Sequence, residues 1–147
     1  MGELRFRAAT LDDAAFFAHV CALVHPTRPI DPLVERYWWQ QPDDTYVFRR
    51  WMVERGGRDI GVATYHHPAW PRLREPHGDI GGELVPEHRG RTTLDALFVE
   101  MESRLAADGA KRIAARANED DELRIAAILG RGFREDRRSR RWVLDLM

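Results

Sequence analysis

Two carboxylates and two arginines stand close together in a stretch that is typical of a strand, a turn and the start of a helix. Asp79 and Glu83 fall on the strand, and Arg89 and Arg91 fall in the turn that follows it. A carboxylate can act as a general base by accepting a proton from an attacking nucleophile. The start of a helix offers free backbone N–H groups and a positive dipole end, which suit an anion such as a diphosphate. These features fit proton transfer beside an anion site, but any helix start has free amides, so local physics alone favours an ordinary strand-to-helix turn with solvated arginines.

The spacing of Asp79 and Glu83 decides whether they can act together. Alternate residues of a strand face the same side, so a regular strand places both carboxylates on one face of the sheet. A β-bulge at Gly81-Gly82 would place them on opposite faces instead. The alternative for both residues is a solvent-facing charge without a chemical role.

The same stretch resembles the acetyl-CoA loop of the GNAT N-acetyltransferases. That loop follows roughly the pattern V-x-P-E-x-R-G-x-G-x-G, and this chain carries Val85-Pro86-Glu87-His88-Arg89-Gly90-Arg91. Gly132-Phe133 resembles the family's entry to a late strand. The resemblance implies a GNAT-like α/β (α+β) fold with a mixed, mostly antiparallel central sheet flanked by about four helices. It also implies transfer of an acetyl group from acetyl-CoA, as co-substrate, to a primary amine of a small molecule or peptide by direct attack.

The resemblance also implies roles for individual residues. Glu83 and Asp79 are the implied bases, and we expect Glu83→Gln to lower turnover more than Asp79→Asn because Glu83 lies nearer the end of the strand. Backbone amides near Leu84 and Val85 are expected to hold the pantetheine arm and polarise the thioester carbonyl. The implied cofactor-binding residues are Leu84, Val85, Arg89, Gly90, Arg91, Thr92, Thr93, Leu94 and Asn118.

Three positions depart from the family pattern. Thr92 and Leu94 stand where the family carries small residues that let the pyrophosphate approach the backbone, and Ile128 stands where many members carry a tyrosine. Isoleucine cannot protonate a leaving thiolate. We expect Leu94 to project towards the diphosphate and obstruct it, with inward packing as the alternative. The departures support a second reading, a catalytically impaired GNAT-like module that binds a ligand or packs against a partner or a second GNAT domain.

Hydrophobic periodicity predicts the elements that position these residues. Strands are predicted over Leu4–Ala8, Tyr46–Glu54, Ile60–Tyr65, Asp79–Val85, Arg112–Ala117 and Phe133–Leu146, the last as one strand or a bent pair. Helices are predicted from Leu11 to Leu23, from Pro32 to before Pro42, from a cap at Thr92 to Gly109, and from a cap at Asp120 or Asp121 to near Gly130. A proline-rich loop is predicted from His67 to Pro76. No repeat divides the chain, so we expect one domain over residues 1–147.

Composition excludes several classes of protein. Lys and Arg total 23 against 24 Asp and Glu, which argues against a nucleic-acid binder. The single cysteine, Cys21, excludes a disulfide framework and a thiolate zinc site. Adjacent histidines on a strand, His66 and His67, point to opposite faces, so no metal is expected.

The remaining expectations concern partners and location. The basic run of residues 137–141 follows Glu135 and Asp136 and is interpreted as a solvated strand end rather than a nucleic-acid surface. No apolar stretch approaches the roughly 20 residues of a membrane span, so we expect no membrane partner and a cytoplasmic protein. An amine acceptor is the expected partner, and a homodimer or a second GNAT domain is left open.

Overall fold

A single five-stranded sheet organises the described chain. The computed structural model describes residues 2–27, 30–41, 43–69 and 75–146. The strands are β1 (Leu4–Ala8), β2 (Tyr46–Arg55), β3 (Arg58–Pro68), β4 (His77–Leu84) and β5 (Arg112–Ala115), in the spatial order β1-β2-β3-β4-β5. Neighbouring strands run antiparallel from β1 to β4, whereas β4 and β5 run parallel. The predicted mixed, mostly antiparallel sheet is confirmed.

Four helices cover the two faces of the sheet. They are α1 (Ala14–Val24), α2 (Pro32–Gln40), α3 (Arg91–Ala107) and α4 (Glu122–Gly130). On one face, Phe17 of α1 packs with Met52 and Val62 of the sheet, and Trp39 of α2 packs against this cluster. On the other face, apolar residues of α3 and α4 pack with β2, β3 and β4 in the larger core, which includes Val53, Ile60, Ala63, Ile80, Leu84, Leu94, Leu97, Phe98, Met101, Leu105 and Ala127.

Local sequence signals account for several element boundaries. The Asp13 carboxylate accepts hydrogen bonds from the Thr10 backbone N–H at 2.7 Å and from its hydroxyl at 3.2 Å, which closes the predicted capping box before α1. Asp31 caps α2 through the Leu33 N–H, with proline at the first helical position. Gly56 and Gly57 both have positive φ, as a tight hairpin turn between β2 and β3 requires. These local signals mark the start of α2 and the β2–β3 turn, whereas the helix predicted from Leu11 begins as a 3₁₀ turn over Leu11–Asp13 and becomes α-helical at Ala14.

Strand β4 is regular along its pairing with β3, so the alternative of a bulge at Gly81-Gly82 is wrong. The register runs without a shift from His66 opposite Asp79 to Gly61 opposite Leu84. Gly82 instead serves close packing, because a Cβ there would lie 2.6 Å from the Val62 carbonyl oxygen and 2.8 Å from the Leu97 side chain. Asp79 and Glu83 consequently share one face of the sheet.

Two predictions differ clearly from the structure. Helix α3 begins at Arg91 with Gly90 as its N-cap, two residues before the predicted cap at Thr92. The predicted final strand over Phe133–Leu146 does not form, because residues 131–146 contain neither helix nor strand. The predicted loop after β3 overlaps the strand to Pro68, and its residues 70–74 lie outside the described residues. Across the described ranges, no helix is long and apolar enough to cross a membrane.

Candidate functional site

The site lies where β4 and β5 separate. The two strands pair from His77 opposite Arg112 to Ile80 opposite Ala115. Beyond that point β4 continues to Leu84, whereas β5 has ended. The edge of β4 from Gly81 onward is therefore open on this side, next to the first turns of α3 and α4. We call this opening the β4–β5 gap.

The side chain of Arg124, from the first turn of α4, fills the β4–β5 gap. It donates one hydrogen bond to the Gly82 carbonyl oxygen of β4 at 2.6 Å and another to the Arg116 carbonyl oxygen just after β5 at 2.7 Å. Its guanidinium carbon also lies 5.1 Å from the centre of the Phe98 ring. Arg124 thus bridges the two strand edges at the point where their own hydrogen bonds stop.

Arg124 belongs to a buried network of alternating charges. Arg89 donates to Glu83 at 2.7 and 3.2 Å and to Asp121 at 2.6 Å, and Arg124 approaches Glu83 at 3.7 Å. Both carboxylates are buried. We call Glu83, Arg89, Asp121 and Arg124 the splay cluster. Its two positive and two negative charges balance, as a buried network requires.

The two arginines of the splay cluster differ in how burial affects them. Burial alone would lower the pKa of Arg89, but its hydrogen bonds with Glu83 and Asp121 outweigh that effect and raise the pKa. Burial lowers the pKa of Arg124, against the attraction of Glu83 and Asp121. Arg89 therefore makes the stronger ion pairs with Glu83 and Asp121, whereas Arg124 is held chiefly by hydrogen bonds to backbone carbonyl groups.

The splay cluster is a poor site for a metal ion, although it contains possible ligands. One ligand atom each from His25, Glu83 and Asp121 lie within 4.8 Å of one another. His25 approaches Glu83 at 3.6 Å. The Arg89 guanidinium already binds both carboxylates, so a cation is present where a metal ion would otherwise sit. Like charges at this distance would repel one another.

The start of α3 offers an anion site. The backbone N–H groups of Arg91, Thr92 and Thr93 have no acceptor among the described residues, since the first hydrogen bond of the helix runs from the Leu94 N–H to the Gly90 carbonyl. Thr92 is exposed, and the Thr93 hydroxyl accepts a hydrogen bond from Arg55. The Arg91 side chain pairs with Asp95 on the same helix. Free amides and the helix dipole together suit a phosphate group.

Leu94 does not obstruct this anion site, so that expectation is wrong. Its side chain is fully buried in the core with Leu97 and Phe98. Leu94 is the fourth residue of α3, so its side chain lies on the same helix face as Leu97 and Phe98. The helix period therefore directs it inward, which leaves the exposed Thr92 as the substituted position beside the free amides.

The amides of Leu84 and Val85 already have acceptors. The Leu84 N–H donates to the Glu83 carboxylate at 3.0 Å, and the Val85 N–H donates to the Ile60 carbonyl at 2.9 Å. Both amides are therefore bonded in this conformation, and the expectation that amides near Leu84 and Val85 hold a pantetheine arm stays a prediction. The Leu84 amide faces a side chain, which can move away, whereas the Val85 amide belongs to the β3–β4 ladder.

The two candidate bases have different surroundings. Glu83 is buried and accepts hydrogen bonds from Arg89 and the Leu84 N–H. Asp79 is partly exposed and lies 3.3 Å from His66 and 3.6 Å from Arg116. Burial lowers the pKa of His66, against the attraction of Asp79, so the imidazole is neutral near pH 7. Asp79 with His66 is thus the accessible basic pair on this face of the sheet.

Two further sequence-predicted positions lie at the margins of the site. Asn118 is in the turn between β5 and α4, where its carbonyl accepts a hydrogen bond from the Asp121 N–H. Ile128 packs against the core and replaces the tyrosine of the family pattern by an apolar contact.

Sequence reasoning missed Arg124, Asp121 and His66 as members of the site. Asp121 was identified only as a helix cap, a role it also fills through the Arg124 N–H. His66 was considered only as a metal ligand, and its partner Asp79 is 13 positions away in the sequence. A signal existed for Arg124, since a cap followed three residues later by arginine places that arginine in the first turn of the helix. Its target carbonyls, however, are fixed only by the sheet.

Known structures share this arrangement of elements. The sequence matches no family model and no curated protein. The structure matches an acetyltransferase from Trypanosoma brucei with a TM-score of 0.71 at 17% identity, covering 97% of this chain and 100% of the other. The chain has the fold of the GNAT acetyltransferases.

Two other solved structures with this fold are acetyltransferases of named substrate. The aminoglycoside N-acetyltransferase AAC(6')-Iy in complex with CoA matches with a TM-score of 0.71 at 15% identity over 99% of this chain and 97% of that one. A ribosomal-protein-alanine N-acetyltransferase from Brucella melitensis matches with a TM-score of 0.70 at 17% identity over 98% and 100%. At these identities the likeness shows the fold alone.

Proposed function

We propose that this protein is an N-acetyltransferase that uses acetyl-CoA to acetylate a primary amine of a small molecule or peptide. The observation that carries the proposal is the β4–β5 gap beside the free amides of α3, in the fold that the CoA-bound aminoglycoside N-acetyltransferase also has. A long, flexible cofactor with a diphosphate at one end needs both features, an edge for its arm and an anion site for its phosphates.

The described residues fit such a cofactor in part. The free amides of residues 91–93 would hold the diphosphate. The Gly82 carbonyl and the Leu84 amide, on the open edge of β4, would hold the pantetheine arm. Both groups are now bonded to side chains, Arg124 and Glu83 respectively. Binding therefore requires Arg124 to leave the gap, where burial lowers its pKa against the attraction of Glu83 and Asp121.

The chemistry needs an acceptor for one proton. Acetyl-CoA, when bound, supplies an acetyl group activated as a thioester. The amine nitrogen bonds to the acetyl carbon, the carbon–sulfur bond breaks so that CoA leaves as a thiolate, and the amine gives up a proton. Asp79 and His66 are the pair we assign to accept it, because they are accessible and their side chains lie 3.3 Å apart. Glu83, the base favoured by its place near the strand end, is buried and bonded to Arg89, so in this proposal it has a positioning role through its hydrogen bond with the Leu84 amide.

Isothermal titration with acetyl-CoA tests the cofactor part of the proposal by giving the dissociation constant. With the ligand at about 100 times that constant, an unfolding measurement should show the free energy of unfolding raised by about 2.7 kcal/mol. Release of the CoA thiol in the presence of aminoglycosides or of peptides that begin with alanine tests the transfer. Absence of binding at millimolar acetyl-CoA would overturn the proposal, and binding without transfer to any amine would favour the catalytically impaired module.

A further inference from the structure

Three aromatic side chains form an exposed surface beside Asp79, on the sheet face that α1 and α2 cover in part. The Phe48 ring of β2 lies 5.4 Å from the His66 ring of β3 and 6.0 Å from the Tyr46 ring, and Tyr46 lies 6.3 Å from His66. Tyr46 and Phe48 are 43 and 47% exposed. We call Tyr46, Phe48 and His66 the aromatic shelf. Aromatic rings that touch one another and stay exposed offer an apolar surface to a ligand.

The aromatic shelf leads from the Asp79–His66 pair to Arg50. Phe48 pairs with His66 across β2 and β3, and His66 pairs with Asp79 across β3 and β4. Arg50 is two positions from Phe48 on the same strand, so its side chain lies on the same face of the sheet. Its guanidinium carbon lies 5.4 Å from the centre of the Phe48 ring and 4.5 Å from that of Trp39 in α2. The shelf therefore has a basic pair at one end and a fixed cation at the other.

The Arg50 guanidinium carries a charge that no described side chain neutralises. It is half-buried between the two rings, and within the described ranges it makes neither an ion pair nor a hydrogen bond. Glu35 attracts it from a distance but accepts its hydrogen bond from the Trp39 indole N–H, at 2.8 Å. Burial lowers the pKa of Arg50 against that attraction. An arginine held by rings, with its parallel N–H donors unused, suits a carboxylate.

We propose that the acceptor is an amine that also carries a carboxylate on an apolar body. Arg50 binds the carboxylate, the body lies on the aromatic shelf, and the amine lies at Asp79 and His66. This inference rests on the proposed function, because the amine is placed at the pair that accepts its proton. The same arrangement disfavours aminoglycosides, which carry several cations and no carboxylate, since Arg50 would repel a cation.

The sheet fixes the length of such an acceptor. Asp79 and Arg50 are separated by two strand spacings and by two residues along β2, which places their Cα atoms about 12 Å apart. A hydrogen bond of about 2.9 Å at each end leaves roughly 6 Å between the amine nitrogen and the carboxylate carbon. A free α-amino acid is too short, because one carbon atom carries both groups. A benzoate with an aminomethyl group in the para position fits, and so does a peptide whose second residue is aspartate.

Matched acids and amides test this recognition. One pair is 4-(aminomethyl)benzoate and 4-(aminomethyl)benzamide, and the other is the peptides Ala-Asp-Ala and Ala-Asn-Ala with amidated C-termini. With acetyl-CoA, release of the CoA thiol should give the acid of at least one pair a kcat/KM about 10–100-fold above that of its amide, as a charged hydrogen bond contributes. The pair with the larger preference identifies the acceptor as a small molecule or a peptide.

Substitution of Arg50 assigns the preference to this side chain. Arg50→Gln should bring the ratio of acid to amide close to one, chiefly by raising the KM of the acid. Arg50→Lys keeps a cation without the planar donors and should retain part of the preference. Arg58→Gln is the control for overall charge, since Arg58 lies at the hairpin end of β2 and β3, and it should keep the ratio of the parent protein.

Titration of the same compounds without acetyl-CoA separates this inference from the proposed function. If no amine is acetylated, but the acid binds more tightly than the amide and loses that advantage in Arg50→Gln, the proposed function fails and carboxylate recognition by Arg50 stands. Equal rates and equal binding for acid and amide overturn the inference, whether or not other amines are acetylated. A preference that survives Arg50→Gln overturns it as well, and so does faster acetylation of an aminoglycoside than of every carboxylate-bearing compound.

Discussion

Arg124 is the residue whose position bears most directly on cofactor binding. Its guanidinium joins Gly82 of β4 to Arg116 after β5, in the gap that an extended ligand would need. Because these are hydrogen bonds to backbone carbonyls, removing the side chain exposes the strand edge without altering it. The buried Glu83 and Asp121 keep Arg89 as a partner in that case.

We expect Arg124→Ala to bind acetyl-CoA more tightly than the parent protein, although it is less stable. Loss of one member of a buried charge network costs up to about 3–5 kcal/mol, which urea unfolding measures. Arg104→Ala is the control, since Arg104 carries the same charge but pairs with Glu100 on α3, away from the gap. Weaker binding in a folded Arg124→Ala protein would contradict the expectation and assign Arg124 to direct cofactor contact.

Asp79 and His66 form a pair whose titration can be followed directly. The Asp79 charge favours the protonated imidazole, while burial disfavours it and prevails. Replacing Asp79 by asparagine removes the favourable charge, so the pKa of His66 should fall further below its usual value. Nuclear magnetic resonance titration of the His66 ring protons measures this shift. An unchanged or raised pKa would show that the two side chains are not in contact in solution.

The lowered pKa of His66 also makes stability depend on pH. The unfolded chain binds a proton at this site near pH 6.5, whereas the folded protein binds it only at lower pH. The free energy of unfolding should therefore decrease as pH falls below about 6.5 and level off once the folded protein is also protonated. His66→Gln should remove this part of the decrease in urea unfolding series between pH 7 and pH 5. An identical slope in the variant would assign the pH dependence to other groups.

At the scale of elements, α3 links the core to the anion site. Its amphipathic face buries Leu94 beneath the sheet while its first amides stay free. The helix was predicted from the spacing of its apolar residues, and that prediction is confirmed apart from its first residue. The start at Gly90 could not be predicted, because Gly90 and Thr92 are both acceptable N-cap residues by their local sequence. In the structure Gly90 is the N-cap, and Thr93 and Leu94 are buried in the first turn of the helix.

Truncating Leu94 should destabilise the protein without improving ligand binding. We expect Leu94→Ala to lower the free energy of unfolding by about 2–5 kcal/mol, because a fully buried leucine leaves a cavity. Val99→Ala is the matched control, since Val99 lies on the exposed side of the same helix and should change stability by less than about 1 kcal/mol. Tighter acetyl-CoA binding by Leu94→Ala would restore the interpretation of Leu94 as an obstruction.

At the scale of the whole molecule, stability is unevenly distributed. β3 has a hydrogen-bonded strand on each side and is mostly buried, whereas α2 contains no buried residue. Only Trp39 of α2 packs against the core cluster beneath it. Local opening requires less free energy where fewer apolar contacts are lost.

Hydrogen exchange should therefore separate these two elements. The amides of α2 should exchange at least about 100-fold faster than those of β3 at the same pH and temperature, because opening α2 leaves the sheet intact. Exchange measured by mass spectrometry after proteolysis resolves both regions. Equal protection of α2 and β3 would mean that the protein opens only as one unit, which would contradict the expectation.

The sequence alone determined the order of elements from β1 to α4 and the fold class that they build. These properties depend on local patterns, namely the alternation in Leu4–Ala8, the Gly56-Gly57 turn and the caps Asp31 and Asp121, and such patterns act within a few residues. The loop pattern from Val85 to Arg91 also led to the GNAT fold. Only the tertiary structure decided how Glu83 and Arg89 are used, because Glu83 lies 3.7 Å from Arg124 of α4 and Arg89 donates to Asp121, the N-cap of α4, each more than 30 positions away. It also decided that residues 133–146 pair with no strand among the described residues, since a strand pattern specifies a face to be covered but not the element that covers it.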